Sequence, residues 1–231
     1  MRIGPLKAFA LAIWAGFFVW LLASGQVYKY IGPRTYWVVI FGAVALSLAT
    51  IGYVLLVMRS QNAVATPRQL IGIAAVLLPI FFVAVIPDPA LGSLAASRKL
   101  SGGVVASAAL APPTPEAGGV VSFQEISYAA ESEEYAAALG LTEGYPVELV
   151  GFVSGTETGV TGALALTRFS IFCCAADAVP YTVPVTPPPG SPTYSPDTWI
   201  EVEGALAKVG EGWVVKAERI EKVDVPTNPY I

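Results

Sequence analysis

The sequence has 231 residues, of which 55% are hydrophobic, and its mean hydropathy of +0.63 is far above that of an ordinary soluble domain. Residues 1–100 contain eight of the 13 basic residues and one acidic residue, whereas residues 101–231 contain five basic and 16 acidic residues. The acidic half would repel phosphate backbones, which argues against nucleic-acid binding, and the absence of histidine excludes Ser-His-Asp and Cys-His catalysis.

Three uncharged apolar segments predict three transmembrane helices, over about residues 8–28, 35–58 and 69–87. They contain 21, 24 and 19 residues, close to the roughly 20 residues that cross about 30 Å of hydrocarbon. Pro79 predicts a kink in the third helix. Because the interiors of the segments contain no Asp, Glu, Lys or Arg, a self-sufficient pump is disfavoured. We therefore assign residues 1–88 to a membrane domain in contact with the lipid bilayer.

The basic residues that flank these helices predict their orientation. They divide four to two between the two sides, with Arg2, Lys7, Arg59 and Arg68 against Lys29 and Arg34. This bias predicts a multi-pass membrane protein with a cytoplasmic N-terminus and an extracytoplasmic C-terminal half. Alternatively, the first span is a signal peptide cleaved near Ala23-Ser24-Gly25, and the C-terminal half is still extracytoplasmic.

The segment after the membrane domain changes in composition. Residues 89–118 are rich in Pro, Ala and Gly and predict a flexible linker. Ser122 and Glu125 then form a capping-box pattern, which predicts one short helix that packs Phe123, Ile126 and Ala130 against a sheet.

A period of two residues from Gly144 onward predicts a mainly β domain at residues 119–231. The five predicted strands are 147–153, Ala163–Cys173, Val179–Val185, Thr198–Leu206 and Gly212–Val223. Five short strands with one helix predict a closed barrel like the OB fold. The predicted barrel core includes Leu149, Phe152, Phe169, Ile171, Trp199, Val202 and Ile220.

Reactive side chains cluster in one segment of this domain, at residues 168–180. If the strand continues through Cys173 and Cys174, the two thiols point to opposite faces and one of them is a core residue. If the Ala-Ala-Asp sequence turns the chain instead, both sulfurs and the Asp177 carboxylate face one concavity. Arg168 and Pro180 are candidate supporting residues of such a site.

Two chemistries fit a site of this kind. One is a redox-active thiol pair, since thiols oxidise readily outside the cytoplasm. The other is a soft metal ion as cofactor or cargo, for which Cu(I) requires fewer ligands than Zn²⁺. A structural zinc site would need a further ligand from a partner chain. No cofactor is certain from the residues alone, and no catalytic residue is assigned.

The segment Arg168-Phe-Ser-Ile-Phe-Cys-Cys-Ala-Ala-Asp-Ala-Val-Pro180 resembles the YcgQ-like family of bacterial membrane proteins, described as subunits of a two-component permease. Further similar motifs are Tyr30-Ile-Gly-Pro-Arg34, Ser122-Phe-Gln-Glu-Ile126, Val150-Gly-Phe-Val153, Trp199-Ile-Glu-Val-Glu-Gly204 and Asn228-Pro-Tyr-Ile231. The resemblance implies a multispan YcgR-like permease as partner, with this chain as its accessory subunit.

Three hypotheses about function follow. The first is a non-enzymatic accessory subunit of an envelope permease complex, whose extracytoplasmic domain scaffolds the permease or binds its cargo. The second is an extracytoplasmic thiol-redox or soft-metal relay protein that uses the adjacent cysteines. The third is a structural envelope protein that self-associates.

Overall fold

The computed structural model describes residues 2–57, 63–85, 91–101, 112–115, 119–155, 158–210 and 212–231. The chain divides into two compact units. The first comprises Met1–Ala90 together with Phe172–Ala175, and the second comprises Leu91–Ile171 and Ala176–Ile231.

The first unit contains three long apolar helices, which confirms the predicted membrane-type architecture. Helix α1 is Ile3–Ala23, α2 is Tyr36–Gly52 and continues as a π-helical turn over Tyr53–Val57, and α3 is Pro67–Val85. Each helix is long and apolar enough to cross a membrane. The predicted helix ends at residues 58 and 86–87, and the flanking Arg59, lie outside the described residues.

The connection between α1 and α2 is an ordered part of the first unit. Leu21, Val27 and Val39 form a buried apolar cluster at this end of the two helices. The rings of Tyr28 and Tyr36 stack above it, with centroids 5.5 Å apart. These contacts fix both ends of the segment between the helices.

The second unit is built on a closed barrel of five strands, as the sequence predicts. The strands are β1 (Pro146–Gly155), β2 (Leu164–Ser170), β3 (Val179–Thr186), β4 (Trp199–Val209) and β5 (Gly212–Lys222). They are hydrogen-bonded in the order β1-β2-β3-β5-β4, and only the β3–β5 pair is parallel. This five-stranded closed barrel confirms the OB-like prediction.

Two short helices, rather than the single one predicted, precede the barrel. Helix α5 is Phe123–Glu131 and α6 is Glu133–Leu139. The predicted capping box is present, because the Ser122 side chain accepts from the Glu125 N–H and the Glu125 carboxylate accepts from the Ser122 N–H. Ser132 has extended backbone angles and caps α6 through the Tyr135 N–H, which separates the helices.

The buried face of α5 differs slightly from the prediction. Phe123 and Ile126 are buried as expected. Ala130, however, is exposed, and Ala129 is buried in its place. Residues three and four positions apart lie on the same side of a helix. After Ile126, the buried position is the one three residues on, Ala129, and not the predicted one four residues on, Ala130.

Part of the predicted linker is helical. Helix α4 is Ser93–Ser101, and its Ala96 is completely buried. The Asp197 carboxylate accepts hydrogen bonds from the Ser93 backbone N–H at 2.6 Å and from the Ser93 hydroxyl at 2.9 Å. This cap comes from a residue remote in sequence, so local composition did not reveal it. Residues 89–90, 102–111 and 116–118 of the predicted linker lie outside the described part of the chain.

The predicted barrel core is divided between two clusters. Leu149 and Val202 belong to the barrel interior, together with the buried residues of α5 and α6. Phe152, Phe169, Ile171 and Trp199 form a separate outer cluster with Ala96 of α4 and the C-terminal Tyr230. Adjacent strand residues point to opposite faces, so the outer aromatic face is buried only because α4 and the C-terminus cover it. Ile220 is partly buried rather than fully buried.

Candidate functional site

The two cysteines lie in the connection between β2 and β3. Strand β2 ends at Ser170, and residues Ala175–Asp177 form a 3₁₀ turn before β3 begins at Val179. The prediction that β2 extends to Cys173 is therefore wrong, and the prediction of opposite-facing thiols fails with it. The alternative, in which the Ala-Ala-Asp sequence turns the chain, matches the structure.

This turn brings three metal-type donor groups together. The sulfurs of Cys173 and Cys174 are 3.7 Å apart, and neither cysteine is part of a disulfide. The ligand atoms of Cys173, Cys174 and Asp177 all lie within 4.8 Å of one another. Both cysteines are half-buried, so they remain partly accessible to solvent. The arrangement can hold a thiophilic cation or support thiol chemistry.

Residues Phe172–Ala175, called here the cysteine segment, are hydrogen-bonded to the connection between α1 and α2, within the same compact unit. The backbone carbonyl of Cys173 accepts from the Gly32 N–H at 3.2 Å and from the Thr35 hydroxyl at 2.6 Å. The Ala175 N–H donates to the Tyr30 carbonyl at 2.9 Å. These bonds fix the backbone on both sides of Cys174.

The Thr35 side chain bonds the cysteine segment and does not cap its own helix. It immediately precedes α2, at the position where a threonine hydroxyl normally caps the helix, yet its side chain makes no capping bond. A cap of this kind is typically worth about 1 kcal/mol. The hydroxyl donates to the Cys173 carbonyl and also lies 3.2 Å from the Gly32 carbonyl oxygen, so it stabilises the cysteine segment rather than the first turn of α2.

A cation–π contact adds to the same surface. The Arg34 guanidinium carbon lies 4.8 Å from the centroid of the Phe172 ring. Phe172 is 47% exposed, so this ring is not a core residue and its placement depends on such a contact. Residues 172–175 of the 168–180 motif therefore contact the motif at residues 30–34 within the first compact unit.

The turn that carries Asp177 is also supported from α4. The Lys99 ammonium donates to the backbone carbonyls of Ala176, at 3.2 Å, and of Ala178. It thus binds the residues on both sides of Asp177. The contact of Lys99 was not predicted, because the composition of residues 89–118 is typical of a linker; the basic pair Arg98-Lys99 was the available signal.

Arg168 and Pro180, the two supporting candidates, are built into the barrel. The Arg168 guanidinium donates to the carbonyls of Val150 and Asn228, both at 2.9 Å, and its carbon lies 5.9 Å from the Trp199 ring centroid. Burial lowers the pKa of Arg168. Pro180 is buried and faces Phe169 in the β2–β3 ladder. These contacts indicate that Arg168 ties the C-terminal residues to the barrel.

The fold and the site together define a class: a membrane-associated protein with three apolar helices and a five-stranded barrel, whose β2–β3 connection carries a thiol pair. Residues 112–231, just over half of the chain, match the DUF1980 C-terminal domain. The chain belongs to this family. Comparison with the curated proteins finds no match.

Proposed function

We propose that the chain is a non-enzymatic accessory subunit of a bacterial envelope permease complex. The motif resemblance to YcgQ-like proteins suggests a multispan YcgR-like permease as its partner. In this proposal the three helices bind the permease within the cytoplasmic membrane. The barrel domain lies outside the cytoplasm and presents the cysteine segment to the transported cargo.

The observation that carries the proposal is the chemistry of the helices. Apart from Lys7 and Arg68, which lie near helix N-termini, α1, α2 and α3 contain no Asp, Glu, Lys or Arg. Ion paths and proton relays usually depend on such groups within the membrane. Three spans without them serve better as an attachment to another transporter than as a transporter.

An open cavity between the helices supports a helical partner. It has a volume of about 790 Å³ and its walls are mostly apolar, including Leu11, Trp14, Leu46, Gly72 and Ile73. A Cβ atom added at Gly72 would meet nothing within 4 Å. Small residues allow close approach of a neighbouring transmembrane helix, so Gly72 marks the proposed contact face.

The partner is tested by purification in mild detergent and by one blocking substitution. Gly72→Trp fills the proposed contact face and is expected to reduce co-purification of a multispan membrane protein severalfold. Ile71→Trp is the matched control, because Ile71 is 70% exposed, does not line the cavity and would face lipid. Equal recovery of the partner with both variants, or recovery of copies of this chain alone, would contradict the proposal.

The proposed orientation is tested separately by labelling of introduced cysteines in intact cells. In a background with Cys173→Ser and Cys174→Ser, Ser191→Cys should react equally before and after permeabilisation. Ser60→Cys, in the predicted cytoplasmic loop, should react only afterwards, because the four-to-two basic bias retains that loop inside. Protection of Ser191→Cys in intact cells would reverse the orientation.

A further inference from the structure

We propose that Cys173, Cys174 and Asp177 form a binding site for a thiophilic d¹⁰ cation, with Zn²⁺ as the ion that the geometry fits and one coordination position left for an external ligand. The inference goes beyond the accessory role proposed above. It depends on the local geometry of the cysteine segment, and it stands whether or not a permease partner is found.

The distance between the two cysteine sulfurs fits a shared zinc ion. Zn–S bonds of about 2.3 Å at a tetrahedral angle place two ligand sulfurs about 3.8 Å apart. The observed separation of the Cys173 and Cys174 sulfurs is 3.7 Å. Adjacent cysteines on a continuous strand would point in opposite directions, so this spacing is a consequence of the turn that follows them. The two thiols already have the separation that a shared tetrahedral ion requires.

The Asp177 carboxylate supplies a third ligand and favours Zn²⁺ over Cu(I). A Zn–O bond of about 2.0–2.2 Å requires the carboxylate oxygen about 3.5 Å from each sulfur. All three ligand atoms already lie within 4.8 Å of one another, and the terminal torsion of an Asp side chain is broad and soft. A change of about 1 Å therefore completes the set. Because a carboxylate is a hard ligand that suits Zn²⁺ better than Cu(I), Asp177 favours zinc.

The number of donors determines what kind of site this is. Structural zinc sites have four protein ligands, whereas sites with three protein ligands leave a position for water or another molecule. The chain has two cysteines and no histidine, so it cannot supply a further thiolate or imidazole. An open site with half-buried thiols suits an ion that is received and passed on.

The backbone around the ligands is held before any ion binds. The Gly32 N–H and the Thr35 hydroxyl fix the Cys173 carbonyl, while the Lys99 ammonium fixes the carbonyls on both sides of Asp177. Two thiolates and a carboxylate carry three negative charges, of which Zn²⁺ balances two. The ammonium of Lys99 supplies a positive charge at the same turn. Pre-organisation of this kind strengthens metal binding, as outer-shell contacts do.

The test is a metal titration of the purified full chain in detergent, reduced and metal-free. Co²⁺ is expected to bind with one equivalent and to give a thiolate charge-transfer absorbance, which Zn²⁺ then removes. Because the chain has only two cysteines and no histidine, this absorbance has a single source. Competition with a chromophoric chelator gives the Zn²⁺ affinity. Since no partner is present, the outcome is independent of the co-purification experiment.

The Zn²⁺ affinities of substituted proteins distinguish a specific site from adventitious binding. Cys173→Ser and Cys174→Ser should each lower Zn²⁺ affinity by about 100-fold or more, at or above the upper end of outer-shell effects. Asp177→Asn should lower it, whereas the control Asp224→Asn, at an exposed carboxylate, should not. Thr35→Val should cost about 10-fold and Thr35→Ser should restore the affinity, since Thr35 is a positioning residue.

Three results would overturn the inference. The first is the absence of a thiolate absorbance with Co²⁺ in the reduced chain. The second is equal Zn²⁺ affinity of the Asp177→Asn and Asp224→Asn proteins. The third is a chain that takes up no metal and re-forms a disulfide after reduction, seen as a mass two hydrogens lower. That result would indicate a redox-active pair instead.

Discussion

Replacing Trp199 with alanine is expected to lower the free energy of unfolding of the barrel domain by about 3–5 kcal/mol. Trp199 is 7% exposed, and its ring lies 5.7 Å from that of Phe152 in the outer cluster. Its removal leaves a cavity under α4 and also removes the ring beside the Arg168 guanidinium. Domains of this size are stable by only about 5–15 kcal/mol, so a large part of the stability would be lost.

The measurement is urea unfolding of residues 91–231, with the folded fraction monitored by circular dichroism. This segment includes α4, which covers the outer cluster. Trp199→Phe should retain much of the stability, because a smaller aromatic ring still fills part of the cavity. Val120→Ala is the control, since Val120 is 88% exposed, and it should change stability by less than about 0.5 kcal/mol. If Trp199→Ala unfolds at the wild-type midpoint, the outer cluster does not stabilise the domain.

The strands were predictable because each is a short alternating segment bounded by turn residues. The ends of two strands differ from the prediction by three residues: β4 continues to Val209, and β2 stops at Ser170. The early end of β2 has a definite cause. Apolar residues continue through Ile171 and Phe172 beyond the strand, so the hydrophobic pattern alone does not indicate where the strand ends. Pairing with β3 ends at Ser170 and Val179, and the following segment bonds to residues 30–35 instead. A strand end set by distant hydrogen bonds cannot be read from local periodicity.

The outer cluster and α4 were missed for a related reason. Phe152 and Val153 are adjacent and both buried, which one buried face of a sheet cannot explain. Such a pair was a signal that the second face is also covered. The covering helix, however, lies in a segment whose composition is typical of a linker, and its cap comes from Asp197, 104 residues away.

The candidate site was found in the sequence because its ligands are local. Cys173, Cys174 and Asp177 lie within five residues, so a single turn is enough to bring them together. Their support is not local, because the hydrogen bond between Thr35 and Cys173 spans 138 residues. The motif at residues 30–34 had been noted as part of the family resemblance, but only the fold reveals that it contacts the cysteine segment.

The second large effect is expected at Gly204 in β4. The register of the β4–β5 pair shifts between Glu203 and Gly204. A Cβ atom at Gly204 would collide with the backbone carbonyl oxygen of Lys216 and would lie 2.9 Å from the Cα of Ala217. These are backbone atoms, so no side-chain rotation relieves the clash, and the two strands would have to separate. Gly204→Ala is therefore expected to cost about 3 kcal/mol, at the upper end of ordinary overpacking.

Gly155→Ala in β1 is the matched control for this substitution. Gly155 also lies beside a shift in strand register, but a Cβ atom there would meet nothing within 4 Å. Its backbone does not have positive φ, so alanine should be neutral or stabilise by up to about 1 kcal/mol through the unfolded chain. Thermal and urea unfolding of both variants of residues 91–231 gives the comparison. Because both substitutions add the same methyl group to a barrel strand, equal stabilities would show that β4 and β5 do not approach as closely at Gly204 as the structure indicates.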